Sequence, residues 1–262
     1  MFYREAGDFK TSYRDDGQTF PIALDRWGYY AIVAVAANFT VVVRELTPAF
    51  EEQSGHTLAV VIGSTGKLYA QIKNGAPFQI LLAADQARPE RLEAEGGAVA
   101  GTRFTYAVGR LTLWSADPGL IGGDPRAVFA SEKVKHIAIA NPELAPYGIA
   151  AKETLQWLGL WEALQAKIVM GENIGQTFTM VATGNAEAGF VALSAVLAQE
   201  ARAGGVQKGS RWDVPAEAYS PIRQDAVLLK AGENSEAAKA FLSFLRSDAA
   251  LAVIKRYGYG VE

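Results

Sequence analysis

Residues Val61–Lys67 read VIGSTGK: β-branched residues run into a small, glycine-flanked turn with two hydroxyls, and the helical pattern LYAQIKNGAP follows at once. A strand that ends in such a turn and re-enters as a helix aims backbone N–H groups at whatever lies before the helix. The first turn of a helix has no intrahelical acceptor for those donors and carries the positive end of the macrodipole, so it holds an anion without a basic side chain. GSTGK overlaps the end of the nucleotide phosphate loop G-x-x-x-x-G-K-[ST], yet that pattern needs glycine where Val61 stands and a hydroxyl where Leu68 stands. The turn is therefore read as an anion cradle of another kind.

Working outward, short β-branched runs alternate with amphipathic stretches, the mark of α/β architecture. AIVAVAA (31–37), TLAVVI (57–62) and QILLAA (79–84) read as strands. The helical stretch after the first carries Val42, Leu46, Ala49 and Phe50 on one face, with Pro48 predicting a kink or a late start. Leu68, Tyr69 and Ile72 give the next helix its buried side, and ERLEAEG (90–96) reads as a short helix closed by Gly96. Two extended segments, FTYAVGRLTLWS (104–115) and SPIRQDAVLL (220–229), bracket a second block. In it KHIAIANP, KIVMGEN and AGFVAL read as strands, GIAAKETLQWLGLWEALQ as one long helix and GQTFTMVATGN as another. The C-terminal segment 235–259 reads as two helices packing back on the first lobe, with Ser235 as an N-cap. The expected fold is thus two lobes, each a mixed sheet flanked by helices, joined by a two-strand hinge: residues 31–108 with 225–262 in lobe 1, and 109–224 in lobe 2.

Four strand-to-helix junctions place small or hydroxyl residues where a helix begins: AANFT (36–40), GSTG (63–66), APYG (145–148) and ENIGQ (172–176). Each alone is ordinary turn chemistry. In open α/β sheets, however, ligands gather beyond the carboxyl ends of the strands, and two facing lobes would bring all four junctions to one cleft.

Composition narrows the classes. Across 262 residues the formal net charge is -3, with Lys and Arg scattered, so no nucleic-acid footprint is present. There are no cysteines and two histidines, His56 and His136, neither at a junction, so no thiolate or histidine metal site can be assembled. An enzyme built on Ser64 would lack a base and a G-x-S-x-G elbow. A transcription regulator of the same fold would need a helix-turn-helix ahead of Ala31, and none is visible.

Residues 1–30 are polar, mixed in charge and aromatic, without helical or strand period, and show no secretory leader. They are expected to be an extension that lies on the surface or is disordered. The stretch YREAGDFKTSY with FPI, to about Ala36, resembles the N-terminus of the permease subunit of branched-chain amino-acid ABC importers, as a fusion or recombined frame would.

From about Ala31 to Tyr259 the sequence resembles the molybdate-binding substrate-binding proteins of ABC importers, a branch of the type II periplasmic binding proteins. The segments that carry the resemblance are AANFT, GSTGKLYAQIKNGAPFQILLAAD, NPELAPYGIAAKETLQWLG, GNAEAGFVALS and IKRYGY; Gln79 and Ala83 stand where Asp and Ser are common. The resemblance implies a periplasmic, monomeric receptor that needs no cofactor, takes molybdate or tungstate as its small oxyanion ligand, and works with a permease and its ATPase. Binding another oxyanion such as sulfate, or sensing an oxyanion as an effector module, is the alternative. It also implies a ligand set of Ala37 through its backbone, Asn38, Ser64, Thr65, Tyr147, and Ile174 through its N–H. Many members carry a tyrosine where this chain has Ala192, and Tyr147 is expected to supply that hydroxyl from across the cleft. Glu172 is expected to point away from the ligand.

Because residues 1–28 carry no period and resemble another protein, deleting them should leave oxyanion affinity unchanged. Calorimetric titration of the truncated and full chains checks this, and a loss of folding or a roughly tenfold weaker affinity would make the extension an integral element.

Overall fold

The computed structural model describes residues 30–206 and 209–262, together with two short strands nearer the N-terminus. Those two, β1 (Lys10–Tyr13) and β2 (Thr19–Ile22), form an antiparallel ribbon with Lys10 opposite Ile22 and Tyr13 opposite Thr19. The sequence reading saw no strand period there, since four residues are too few for alternation to register. The expectation that the extension is disordered or surface-lying otherwise falls outside the described residues.

Lobe 1 is built on a five-stranded sheet in the order β4-β3-β5-β12-β6. Its strands are β3 (Tyr30–Ala36), β4 (Thr57–Gly63), β5 (Ile80–Leu82), β6 (Phe104–Gly109) and β12 (Ile222–Leu228). β3 runs parallel to β4 and β5, while β12 runs antiparallel to β5 and β6, which makes the sheet mixed. Helices α1 (Thr40–Ser54), α2 (Thr65–Lys73) and α3 (Ala87–Ala94) follow β3, β4 and β5 in turn, each βα step the product of a buried strand feeding an amphipathic helix. α1 starts at Thr40 and runs through Pro48 without the late start that proline suggested, and it buries Val42, Val43, Leu46 and Phe50. Ala49 is exposed, one position off the apolar stripe that Val43 completes.

Lobe 2 holds the second mixed sheet, ordered β11-β7-β10-β8-β9. The strands are β7 (Leu111–Ser115), β8 (Ile137–Ala140), β9 (Ile168–Gly171), β10 (Ala188–Ala192) and β11 (Ser210–Asp213). Its helices are α4 (Pro125–Ala130), α5 (Pro146–Trp157), α6 (Ile174–Ala182) and α7 (Leu193–Arg202). The single long helix expected from residue 148 to 165 stops at Trp157, because Gly159 takes a left-handed φ of 73° and turns the chain out of register. β11, α4 and α7 have no counterpart in the sequence reading.

The long segment 104–115 is split at Arg110: β6 belongs to the first sheet and β7 to the second, and the chain returns between β11 and β12. These are the two crossings of the hinge. α8 (Glu236–Phe244) and α9 (Asp248–Arg256) pack on lobe 1, as expected, and the Ser235 side chain caps α8 by accepting from Ala238 N. Phe241 of α8 is fully buried, edge-on to Phe50 of α1 at 5.2 Å between centroids. Truncating so large a buried ring leaves a cavity that cannot collapse. Phe241→Ala should therefore cost about 3–5 kcal/mol, read as a lowered urea midpoint with an unchanged slope.

Candidate oxyanion site

All four junctions meet. One small cavity of about 10 Å3 is lined by Ala37, Asn38, Ser64, Thr65, Tyr147 and Ile174, with Ala36, Ala84, Ala145, Pro146 and Asn173 completing the wall. None of the lining residues is charged. A larger depression of about 180 Å3, lined in part by Lys133 and Glu187, lies elsewhere in lobe 2 and gathers none of the junctions.

Each lining element arrives by a separate local cause. Ala37–Phe39 form one 3-10 turn between β3 and α1, closed by Thr40 Oγ1 donating to Ala37 O at 2.7 Å. Ser64 is the N-cap of α2; its Oγ accepts from Lys67 N at 3.4 Å, a long bond. Thr65, the first residue of α2, accepts from Ala84 N at 3.0 Å through Oγ1. Each hydroxyl that accepts in this way keeps its own hydrogen to give. α5 begins at Pro146, which has no N–H to leave unpaired, and Tyr147 follows it. Asn173 caps α6 by accepting from Gln176 N at 2.9 Å, so Ile174 opens a helix whose first-turn N–H groups have no intrahelical acceptor. Helix N-termini from both lobes thus point at one cavity.

Behind the cavity lies a buried polar network that the sequence reading missed. Asn38 Nδ2 donates to Gln224 Oε1 at 2.8 Å and to Tyr259 Oη at 3.0 Å. Gln224 Nε2 donates to Tyr147 Oη at 3.2 Å. The Tyr106 hydroxyl lies 3.0 Å from Ala83 O and 3.1 Å from Gln224 Oε1. Tyr259 donates to Asn38 O at 2.8 Å, and Ser194 Oγ sits 3.0 Å from Tyr259 Oη. Asn38 is expected as a side-chain donor to the ligand, but in this arrangement both its amide hydrogens are engaged in the network, and its Oδ1 is buried with no partner. Gly109 of β6 backs the network at a point where no side chain fits: a Cβ there would lie 2.6 Å from Gln224 Nε2 and 2.9 Å from the Tyr147 ring.

Contacts between the lobes close the mouth. Gly66 N donates to Leu144 O at 2.9 Å, Arg88 Nη2 donates to Glu143 O at 3.2 Å, and Lys67 Nζ pairs with Glu172 at 2.6 Å. Glu172 is thereby held outside the cavity, with its side chain 57% exposed, and Lys67 keeps its carboxyl below the usual range. The cavity holds about one water, and Asn38, Ser64, Thr65 and Tyr147 in its wall are at most 4% exposed, so a tetrahedral oxyanion can enter only when the lobes part.

Burial pushes the Tyr106 and Tyr147 hydroxyls well above the ordinary tyrosine value and moves Tyr259 up to about 12, against hydrogen bonds that favour its ionised form. All three are therefore neutral donors at any physiological pH. Since the folded values are raised, the stability they contribute is complete below the unfolded value near 10; for Tyr259 it is lost as pH rises through about 12, and for Tyr106 and Tyr147 as pH rises through their own raised values. Ultraviolet titration between these limits should show the native protein forming tyrosinate at fewer rings than the unfolded chain, with unfolding exposing the rest.

Comparison with known proteins places the chain. Residues 31–260 match the family described as bacterial extracellular solute-binding protein. The molybdate-binding protein ModA of Azotobacter vinelandii is 52% identical over 88% of this chain and 89% of its own length, and that of Rhodobacter capsulatus is 48% identical over 88% of each. The solved periplasmic molybdate-binding protein of Azotobacter vinelandii superimposes with a TM-score of 0.83 at 41% identity, covering 88% of this chain and 99% of its own. A sulfate-binding protein, SubI of Mycobacterium tuberculosis, shares the fold at a TM-score of 0.70 with 12% identity. With two mixed sheets, a hinge of two crossings and an uncharged cavity between them, the chain belongs to the bacterial extracellular solute-binding proteins, in the branch of its molybdate-binding relatives.

Proposed function

We propose that the chain captures molybdate or tungstate between its lobes and hands it, as a periplasmic monomer, to the permease and ATPase of an ABC importer. The observation that carries this reading is the convergence of helix N-termini and the Ser64 and Thr65 hydroxyls on a cavity lined by no charged side chain. A fully ionised tetrahedral dianion is stabilised by many fixed N–H and O–H dipoles, and an uncharged wall lets it leave again when the lobes part. The names of the two close relatives point to the same ion. We assign Ala37, Asn38, Ser64, Thr65, Tyr147 and Ile174 as the ligand set, and divide the lobes as 31–108 with 225–262, and 109–224, a division that cuts the two hinge crossings inside β6 and β12, whose ends belong to the sheet of lobe 1. The protein is read as a receptor and not a catalyst, since neither histidine lies among the lining residues to act as a base for a serine or threonine.

Selectivity follows from the same wall. Phosphate near neutral pH keeps a proton and needs an acceptor for it, and no carboxylate lines the cavity. Sulfate is fully ionised, so it is discriminated by size through donor bonds left unmade. Competition calorimetry at pH 7 should rank molybdate and tungstate together, sulfate weaker by roughly a hundredfold or more, and phosphate last. Tight phosphate binding would overturn this order and mark Asn38 Oδ1 as the acceptor of the phosphate proton.

A further inference from the structure

Gln224 does not line the cavity, yet it touches two residues that do, one from each lobe. It sits on β12 at a hinge crossing, where the pairing with β6 slips between Gln224 and Asp225. Such a bulge re-aims side chains along the strand. Asp225 engages Arg103, Thr105 and Gln86. The Gln224 amide, fully buried, enters the network between the lobes.

The direction of its bonds matters. Tyr147 Oη accepts from Gln224 Nε2, so the phenol proton cannot go back to that nitrogen. The neighbouring Tyr259 oxygen already has Asn38 Nδ2 and Ser194 Oγ against it. In the closed arrangement the Tyr147 and Tyr259 hydroxyls are also bonded to each other, but a dianion in the cavity is a far stronger acceptor than a neutral phenol and would draw the Tyr147 proton to itself. At the other end of the same amide, Oε1 accepts from Asn38 Nδ2 and keeps that amide turned to the hinge.

We propose that Gln224 is a positioning and specificity residue of the oxyanion site: its amide orients the Tyr147 hydroxyl as a donor to the bound anion and sets which arm of Asn38 faces the cavity. This rests on the oxyanion reading given above. A carboxylate of the same size would reverse the effect, because it can only accept. It would draw the Tyr147 proton away from the ligand and set a negative charge beside it. The titratable groups facing that position are Tyr106 and Tyr147, with Tyr259 across the Asn38 amide; the adjacent Asp225 is turned to Arg103.

The test is molybdate calorimetry on the full chain and on Gln224→Leu, Tyr147→Phe, the double variant and Gln224→Glu, each checked for an intact thermal transition. Tyr147→Phe should weaken molybdate roughly tenfold to a hundredfold, the loss of one donor to a charged acceptor. If Gln224 acts through Tyr147, the double variant should lose little beyond the larger single loss. Gln224→Glu should bind progressively worse from pH 6 to 9 as its carboxyl ionises, while the parent stays flat. Additive losses in the cycle, or a Gln224→Glu affinity that tracks the parent across that range, would overturn the proposal; the cycle decides alone if the glutamate variant does not fold. A parent chain that gives no molybdate heat would overturn the functional reading instead, and the same cycle run with sulfate would then decide on Gln224.

Discussion

A helix cannot satisfy its own first turn. The N–H groups there need an acceptor from outside, and this fold turns that deficit into its binding chemistry. Each strand of the two sheets that matters for the site ends at the cleft and re-enters as a helix beginning there: β3 through Ala37, β4 through Ser64, β9 through Asn173. β8 reaches it through the short turn before Pro146. Sheet order, hinge position and lobe packing all serve to bring these starts within reach of one small ion. An anion without a counter-charge in its wall can be held tightly while the lobes are closed and still exchange when they part.

Much of this was legible because it is local. The junction at residues 63–66 announces itself through glycine, hydroxyls and a change of period within a dozen residues. The strands of both lobes likewise read as β-branched runs between turn residues. Where the reading went astray, a neighbour outside the window decided. Ala49 and Val43 exchange roles because the apolar stripe of α1 is set by α8 and α9 packing against it, not by spacing alone. The helix from Pro146 ends early because a single glycine, Gly159, outweighs a periodic pattern that continues past it. α7 starts directly at the end of β10, so its first residue, Leu193, reads in the sequence as the tail of the strand.

The polar network is the clearest case of information that no local pattern holds. Asn38 meets Gln224 across 186 residues and Tyr259 across 221, and Tyr147 meets Gln224 across 77. Nothing in SPIRQDAVLL distinguishes a glutamine buried in a polar network between the lobes from one facing solvent. Its role depends on a slip in strand pairing and on a glycine opposite, neither of which has a sequence period. The cavity-lining residues were recoverable from their junctions, whereas the residues that hold them were not.

The mouth of the cleft carries two kinds of seal, and they differ in how long an ion stays captive. The Lys67–Glu172 pair is about half exposed on both sides, so dissolved ions compete for its charges and weaken its grip. The bond from Gly66 N to Leu144 O is between backbone groups and is indifferent to ionic strength. Reopening is therefore governed by a screened electrostatic part and a fixed part. Raising the salt shortens the residence time of the ion only until the first part is exhausted, and beyond that the escape rate levels off at a value set by the Gly66–Leu144 backbone bond and the Arg88 bond to the Glu143 carbonyl.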